Sequence, residues 1–228
     1  MGILFMGPEP SAAGDDLATK NRNDTEKRMT PEQIAEAKKL SREWRPLPVA
    51  PSARSDDAID CKNHELLADT DPARALAACL RLAEKGNAAA EFSIGQMHES
   101  GHGVQQDDTT AAFWYRKAAD QGLPIAQSSL GRLFYKGIAA PDFVTAAKWF
   151  RKAADQGDVD GQTYLGTMYA RGQGLPIDYV QAYIWYTLAI KWGNSGASRS
   201  RDLLAQVMSP AQIAIAKQLA AQWKPKEP

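Results

Sequence analysis

The stretch FWYRKAADQG, Phe113 to Gly122, decides the fold, because its frame returns as KWFRKAADQG at Lys148 to Gly157 and as IWYTLAIKWG at Ile184 to Gly193. Gly122, Gly157 and Gly193 each follow an aspartate, Asp107, Asp142 and Asp178, by 15 residues, and Gly86 stands in the same relation to Asp71. Successive glycines are therefore 36, 35 and 36 residues apart. A period of that length marks a stacked helical array, in which no unit buries its apolar face alone and each leans on its neighbours. The expected fold is all-α, an α/α superhelical solenoid of antiparallel helix pairs with a C-terminal capping helix.

Three units are clear, residues 87–122, 123–157 and 158–193, and each reads as two helices. The first helix carries a small residue (Ala90, Ala126, Gly161), an aliphatic one (Ile94, Leu130, Leu165), a glycine (Gly95, Gly131, Gly166) and a ring (His98, Phe134, Tyr169). Glycine inside a helix costs about 1 kcal/mol relative to alanine, so its return at one slot predicts that helix backbones touch there. A further glycine, Gly101, Gly137 or Gly172, ends this helix. Asp107, Asp142 or Asp178 then opens the second helix, where a carboxylate accepts from free backbone N–H groups and suits the positive helix end. That helix brings Ala111, Ala146 and Ala182, then Trp114, Trp149 and Trp185 beside Tyr115, Phe150 and Tyr186, then Ala118, Ala153 and Ala189. Large rings set against alanines are what interdigitating helices require. The residue missing from the middle unit falls between Gly137 and Asp142, in the turn.

Residues 56–86 read as a degenerate first repeat, legible in its second half through Asp71, Pro72, Ala75, Cys79, Leu82 and Gly86. Upstream, residues 1–28 lack periodicity and are expected to be a disordered tail. Residues 29–45 read as an isolated amphipathic helix opened by Thr30-Pro31 and carrying Ile34, Ala37, Leu40 and Trp44, and 46–55 as a proline-rich linker. Residues 194–228 close the array with a helix presenting Leu203, Leu204 and Val207 and a last one opened by Ser209-Pro210. That last segment, MSPAQIAIAKQLAAQWKP (Met208 to Pro225), matches MTPEQIAEAKKLSREWRP (Met29 to Pro46) at 10 of 18 positions. One closing helix type thus occurs twice, and the upstream copy reads as the end of an earlier array.

At 228 residues and 44% hydrophobic content the chain can bury a sizeable core. Its 27 basic and 27 acidic residues cancel, which argues against nucleic acid or an anionic membrane as partner. No apolar run approaches the roughly 18 residues of a membrane span. The opening MGILFMGPEP has no basic lead and no small-residue cleavage site, so a cytoplasmic location is expected. Cys61 and Cys79 are too few for a disulfide framework and lack metal-ligand spacing. Cys79 fills the slot of Tyr115, Phe150 and Tyr186 and is expected to be a small buried apolar side chain.

The repeated pattern resembles the Sel-one-like repeat, a relative of the tetratricopeptide repeat. Residues 90–122 carry it through Ala90, Gly95, Gly101, Gly103, Val104, Asp107, Ala111, Trp114, Tyr115, Ala118, Ala119, Gln121 and Gly122. Departures are His98 at a tyrosine slot, Ala139 at the second turn glycine and Trp192 in place of the glutamine. The resemblance covers residues 71–193 and implies right-handed superhelices that act as adaptors and scaffolds, with a protein or peptide partner and no cofactor. Cysteine-rich secreted relatives bind or hydrolyse β-lactams, but their paired cysteines in every repeat are missing here.

Two further signals bear on function. His98-Glu99-Ser100-Gly101-His102 spells the H-E-x-x-H of zinc proteases, which needs both imidazoles on one face of a continuous helix. The repeat register instead places His98 at a core slot and Gly101 at the turn, so His102 is expected beyond the helix and the match coincidental. Repeated Arg-Lys-Ala-Ala-Asp (Arg116, Lys117, Asp120; Arg151, Lys152, Asp155) reads as a self-paired solvated face. On a helical wheel each first helix leaves a stripe opposite its core slots. From it the expected peptide groove draws Phe92, Gln96 and Glu99, then Ile125, Ser128, Arg132, Tyr135 and Lys136, then Thr163, Thr167 and Arg171. Phe92, Ile125 and Tyr135 would anchor a peptide while Arg132, Lys136 and Arg171 read its carboxylates. The expected role is a non-catalytic binding module; the rivals are a zinc or β-lactam hydrolase and a structural remnant without a ligand.

Overall fold

The computed structural model describes residues 57–64, 71–138 and 140–226. The expected tail, upstream helix and linker over 1–55 lie outside the described residues. Among the described residues there are ten helices and no strand: α1 Asp57–Lys62, α2 Pro72–Ala83, α3 Ala88–Ser100, α4 Asp108–Asp120, α5 Pro124–Lys136, α6 Phe143–Asp155, α7 Val159–Arg171, α8 Tyr179–Lys191, α9 Ala197–Ala205 and α10 Pro210–Gln222. Each packs mainly on its neighbours in sequence, α3 on α4, α4 on α5 and so on to α8, as a solenoid requires. Both α9 and α10 close on α8.

The helix starts follow the aspartates. Asp71, Asp107, Asp142, Asp158 and Asp178 accept hydrogen bonds from the backbone N–H of Arg74, Thr109, Thr145, Gly161 and Gln181. Gly101, Gly137 and Gly172 end α3, α5 and α7 with φ of 75°, 86° and 67°, which only glycine adopts without strain. The turn after each is closed by one backbone bond, from Asp107 N–H to His98 C=O at 2.9 Å, Asp142 to Phe134 at 2.9 Å and Asp178 to Tyr169 at 3.0 Å. The shortened middle turn therefore absorbs its deletion without losing that bond.

The core forms where rings of the second helix enter notches in the first. A Cβ placed on Gly95 would stand 2.5 Å from the Tyr115 ring, one on Gly131 2.9 Å from Phe150 and one on Gly166 3.0 Å from Tyr186. The repeated glycine thus admits a ring, where a backbone contact was expected. Backbone approach between repeats occurs at Gly161 instead, whose Cβ would lie 2.9 Å from the Ala154 nitrogen. Buried amides tie successive repeats: Gln127 donates to the Ala119 carbonyl at 3.2 Å and Gln162 to that of Ala154 at 3.4 Å.

The indoles are shielded by cations. Trp149 and Trp185 are buried and Trp114 half-buried. Arg116 and Lys152 sit over Trp149, at 4.7 and 4.4 Å from the ring centroid. Arg151 covers Trp185 at 5.2 Å, and Lys117 covers Trp114 at 4.7 Å while reaching Glu91 at 3.3 Å. The Arg-Lys pairs are thus not the self-paired solvated face expected from their spacing; long aliphatic stems and cationic heads cover aromatic surface.

Both ends carry corrections. Cys79 is buried as expected, but it bonds to Cys61 in a disulfide, so the two cysteines are a staple and not merely apolar filling. The physical need is plain: α1 has six residues, too few to hold a helix alone, and among the described residues its polar ties include Arg81 to Asp57 at 2.9 and 2.5 Å and Arg74 to Asp60 at 2.7 Å. At the other end α9 stops at Ala205, leaving Leu203 and Val207 exposed while Leu204 is buried. Ser209 and Gln212 form a reciprocal capping box that starts α10, whose Ala216 and Ala220 are buried and whose following Trp223 meets Trp185 edge to face at 6.2 Å.

Trp149→Ala should destabilise the array by about 3–5 kcal/mol, read by chemical denaturation; a midpoint near that of the wild type would show that the indole is not part of the core. Reduction of Cys61–Cys79 should raise amide hydrogen exchange in residues 57–64 and leave 124–191 protected, and uniform loss of protection would refute a local staple.

Candidate functional site

At the stripe of the first helices, Glu99 and Arg132 converge with Tyr115 of the second helix α4. Tyr115 Oη donates to Glu99 Oε2 at 2.8 Å, Arg132 Nη2 donates to the same oxygen at 2.8 Å, and Arg132 Nη1 donates to Glu99 Oε1. Burial opposes the ionised form of Glu99, but the bonds from Arg132 and Tyr115 outweigh it and hold the carboxyl below its ordinary range. Burial, reinforced by the Glu99 charge, pushes the Tyr115 phenol up. This clamp joins α3, α4 and α5 and floors a cleft of about 170 Å³ lined by His64, Gln96, Glu99, Ser100, His102, Tyr115, Ser129 and Arg132.

The remaining expected groove residues divide by what they touch. Phe92 lies half-buried against Tyr115, ring centroids 5.4 Å apart. Ser128 is buried and donates to the Ile125 carbonyl at 3.1 Å. Tyr135 meets Phe143 at 5.3 Å and Tyr164 at 5.5 Å, and its hydroxyl donates to Gln173 at 2.9 Å. Thr163 accepts from Asn194 at 2.9 Å, and Thr167 shares a 3.0 Å bond with the Tyr186 hydroxyl. Ile125, Lys136 and Arg171 face outward. Arg132, expected to read a partner's carboxylate, already holds one in Glu99.

Five lining residues, His64, Ser100, His102, Tyr115 and Ser129, are not among the expected groove residues. Tyr115 had been placed in the core by its slot, and its ring is indeed there; only the hydroxyl reaches the cleft. His64 comes from the degenerate unit, where no register fixes direction, and Ser129 lies just off the stripe. Tyr164, stacked on Phe150 at 4.7 Å, extends the aromatic wall and was likewise missed.

The H-E-x-x-H string is split by the helix end. α3 stops at Ser100, Gly101 turns left-handed, and His102 lies beyond it. Burial pushes the His98 imidazole below its ordinary value. Among the described residues no group of three or more His, Cys, Asp or Glu side chains is placed to hold a metal ion.

The family model of the Sel1 repeat matches residues 88–123, 124–158 and 159–194. Residues 88–194 are therefore three successive Sel1 repeats. A Sel1 repeat protein from Oxalobacter formigenes of known crystal structure is 39% identical, with a TM-score of 0.52 over 57% of this chain and 38% of its own. The ERAD-associated E3 ubiquitin-protein ligase component HRD3A of Arabidopsis thaliana is 39% identical over 56 residues, 24% of this chain and 8% of that protein. A protective antigen of uropathogenic Escherichia coli displaying an SLR fold aligns at 25% identity and a TM-score of 0.45, over 75% of this chain and 46% of its own. The chain thus spans less than half of each of these proteins. Sel1 repeats are generally protein-interaction modules, and the family is generally a non-catalytic scaffold.

Glu99→Gln should cost about 1 kcal/mol at neutral pH, after allowance for partial solvent exposure. Because the folded carboxyl is depressed, its contribution is complete above the ordinary carboxylate range and is lost as pH falls through the folded value. The stability gap between wild type and Glu99→Gln, from denaturation at a series of pH values, should therefore close in acid; a gap independent of pH would refute the clamp.

Proposed function

We propose that this Sel1-like array is a non-catalytic adaptor that binds a protein partner along the stripe of its first helices, with Ile125, Lys136 and Arg171 as the contact residues. The observation that carries this reading is that Lys136 and Arg171 fill the same slot in successive repeats and are both exposed, with no ion pair among the described residues. Two cations repeated at one slot suit an extended acidic segment running across the repeats. Glu99, Tyr115 and Arg132 support that surface by fixing the angle between helices, which keeps binding from having to order them. The balanced charge of the chain supports a protein partner over nucleic acid.

A different feature bears on the compartment. Disulfides persist in oxidising surroundings, so Cys61–Cys79 supports residence outside the cytoplasm, against the expectation from the opening residues. No helix among the described residues is long and apolar enough to cross a membrane.

Affinity capture from the native cell should recover a partner with wild type and with the exposed control Lys217→Glu, and lose it with Lys136→Glu plus Arg171→Glu. Equal recovery by all three would remove the stripe from the account. Thiol alkylation during lysis should leave both cysteines unmodified, whereas quantitative labelling would return the protein to the cytoplasm.

A further inference from the structure

After α10 the backbone passes the loop that joins α6 to α7, and it is gripped there at Asp155-Gln156-Gly157. The Lys226 N–H donates to the Asp155 carbonyl at 2.7 Å, and Lys226 Nζ pairs with the Asp155 carboxylate at 2.8 Å. Gly157 has φ of 93°, and a Cβ there would lie 3.7 Å from Pro225 and 3.9 Å from Trp223, so the bare glycine offers the proline a flat seat.

The same loop occurs one repeat earlier. Asp120-Gln121-Gly122 has the same three residues, and Gly122 has φ of 92°. Gln121 reaches Glu91 as Gln156 reaches the equivalent Gln127, at 2.6 and 2.9 Å, so both loops are fixed in one way. Among the described residues, however, Asp120 forms no salt bridge and its carbonyl accepts no N–H from outside its helix. Burial raises its carboxyl, and the charges of Arg116 and Lys152, both held against Trp149, pull it back. Beside it lies an open cleft of about 430 Å³ whose walls include Gly122, Leu123 and Pro124 and whose far edge is Lys226 itself. The cleft continues the track on which the tail already lies.

We propose that the Asp120-Gln121-Gly122 loop is a docking site for an extended protein segment carrying Pro-Lys, bound as Pro225-Lys226 is bound one repeat later. The proline sits on Gly122, the lysine backbone N–H donates to the Asp120 carbonyl, and its ammonium pairs with the Asp120 carboxylate. Main-chain pairing with a single charged anchor is a recurring way to hold extended peptides. The other two loops at this position cannot serve alike, because they read Glu84-Lys85-Gly86 and Lys191-Trp192-Gly193. This surface is separate from the stripe of the first helices, and a cell partner could use either alone.

The test is fluorescence polarisation of labelled Gln-Trp-Lys-Pro-Lys, the sequence of residues 222–226, with the full chain. Saturable binding is expected, weakened at least about tenfold by Asp120→Asn and by a probe with its last lysine changed to glutamate, and unchanged in Lys136→Glu plus Arg171→Glu. The charge-reversed probe keeps the test valid if Asp120→Asn fails to fold. Absence of saturable binding, equal binding of both probes, or loss in the Lys136 and Arg171 variant would each overturn the proposal.

Discussion

Every repeat depends on one fit, an aromatic ring of the second helix seated in a glycine notch of the first. Tyr115 on Gly95, Phe150 on Gly131 and Tyr186 on Gly166 repeat it three times, with no room for a Cβ beneath the first two rings and a tight 3.0 Å beneath the third. Helical propensity is sacrificed at that slot, since glycine is about 1 kcal/mol poorer than alanine, and ring burial more than offsets it. The fit also sets where the next repeat can lie. With the ring sunk into its own partner helix, the outer face of the pair is left to alanines, and at Gly161 the neighbouring backbone comes close enough to touch. A solenoid made this way is stabilised by nearest-neighbour terms and has no single centre.

The ends show what happens when the fit is absent. The residue of α2 in the ring slot is Cys79, too small to fill a notch, and there a covalent bond to Cys61 with the Arg81–Asp57 pair holds α1 in place. At the other end no further repeat covers α8, and Trp223 with Ala216 and Ala220 takes that role. The tail beyond Trp223 then binds Asp155, so the cap is also tied to the repeat before the one it closes.

Architecture was legible in the sequence because it is periodic: capping aspartates, turn glycines and ring slots recur at fixed offsets, and each has one local cause. Directions were less legible. The period told that Gly131 needs space but not whether a backbone or the Phe150 ring takes it. Arg116 and Arg151 read as solvent-facing because helical neighbour spacing pairs them with aspartates, whereas their length lets them reach Trp149 and Trp185, each on the second helix of the following repeat. Gln96, Glu99 and Arg132, stripe residues of two adjoining repeats, line one cleft. Their commitments to each other, Arg132 to Glu99 and Thr167 to Tyr186, depend on the angle between helices, which no single-helix wheel contains. The disulfide was missed because a pair of cysteines 18 residues apart carries no signal until two helices bring them together.

Function in such a molecule belongs to surfaces held at fixed spacing, and that spacing rests on the ring-in-notch contact. A double-mutant cycle at Gly131 and Phe150, followed by chemical denaturation, measures it directly. With Phe150 present, Gly131→Ala should destabilise the fold by about 1–3 kcal/mol through overpacking. In a Phe150→Val background the same change should be neutral or stabilise by up to about 1 kcal/mol, as helix propensity alone dictates. An equal effect in both backgrounds would contradict the account.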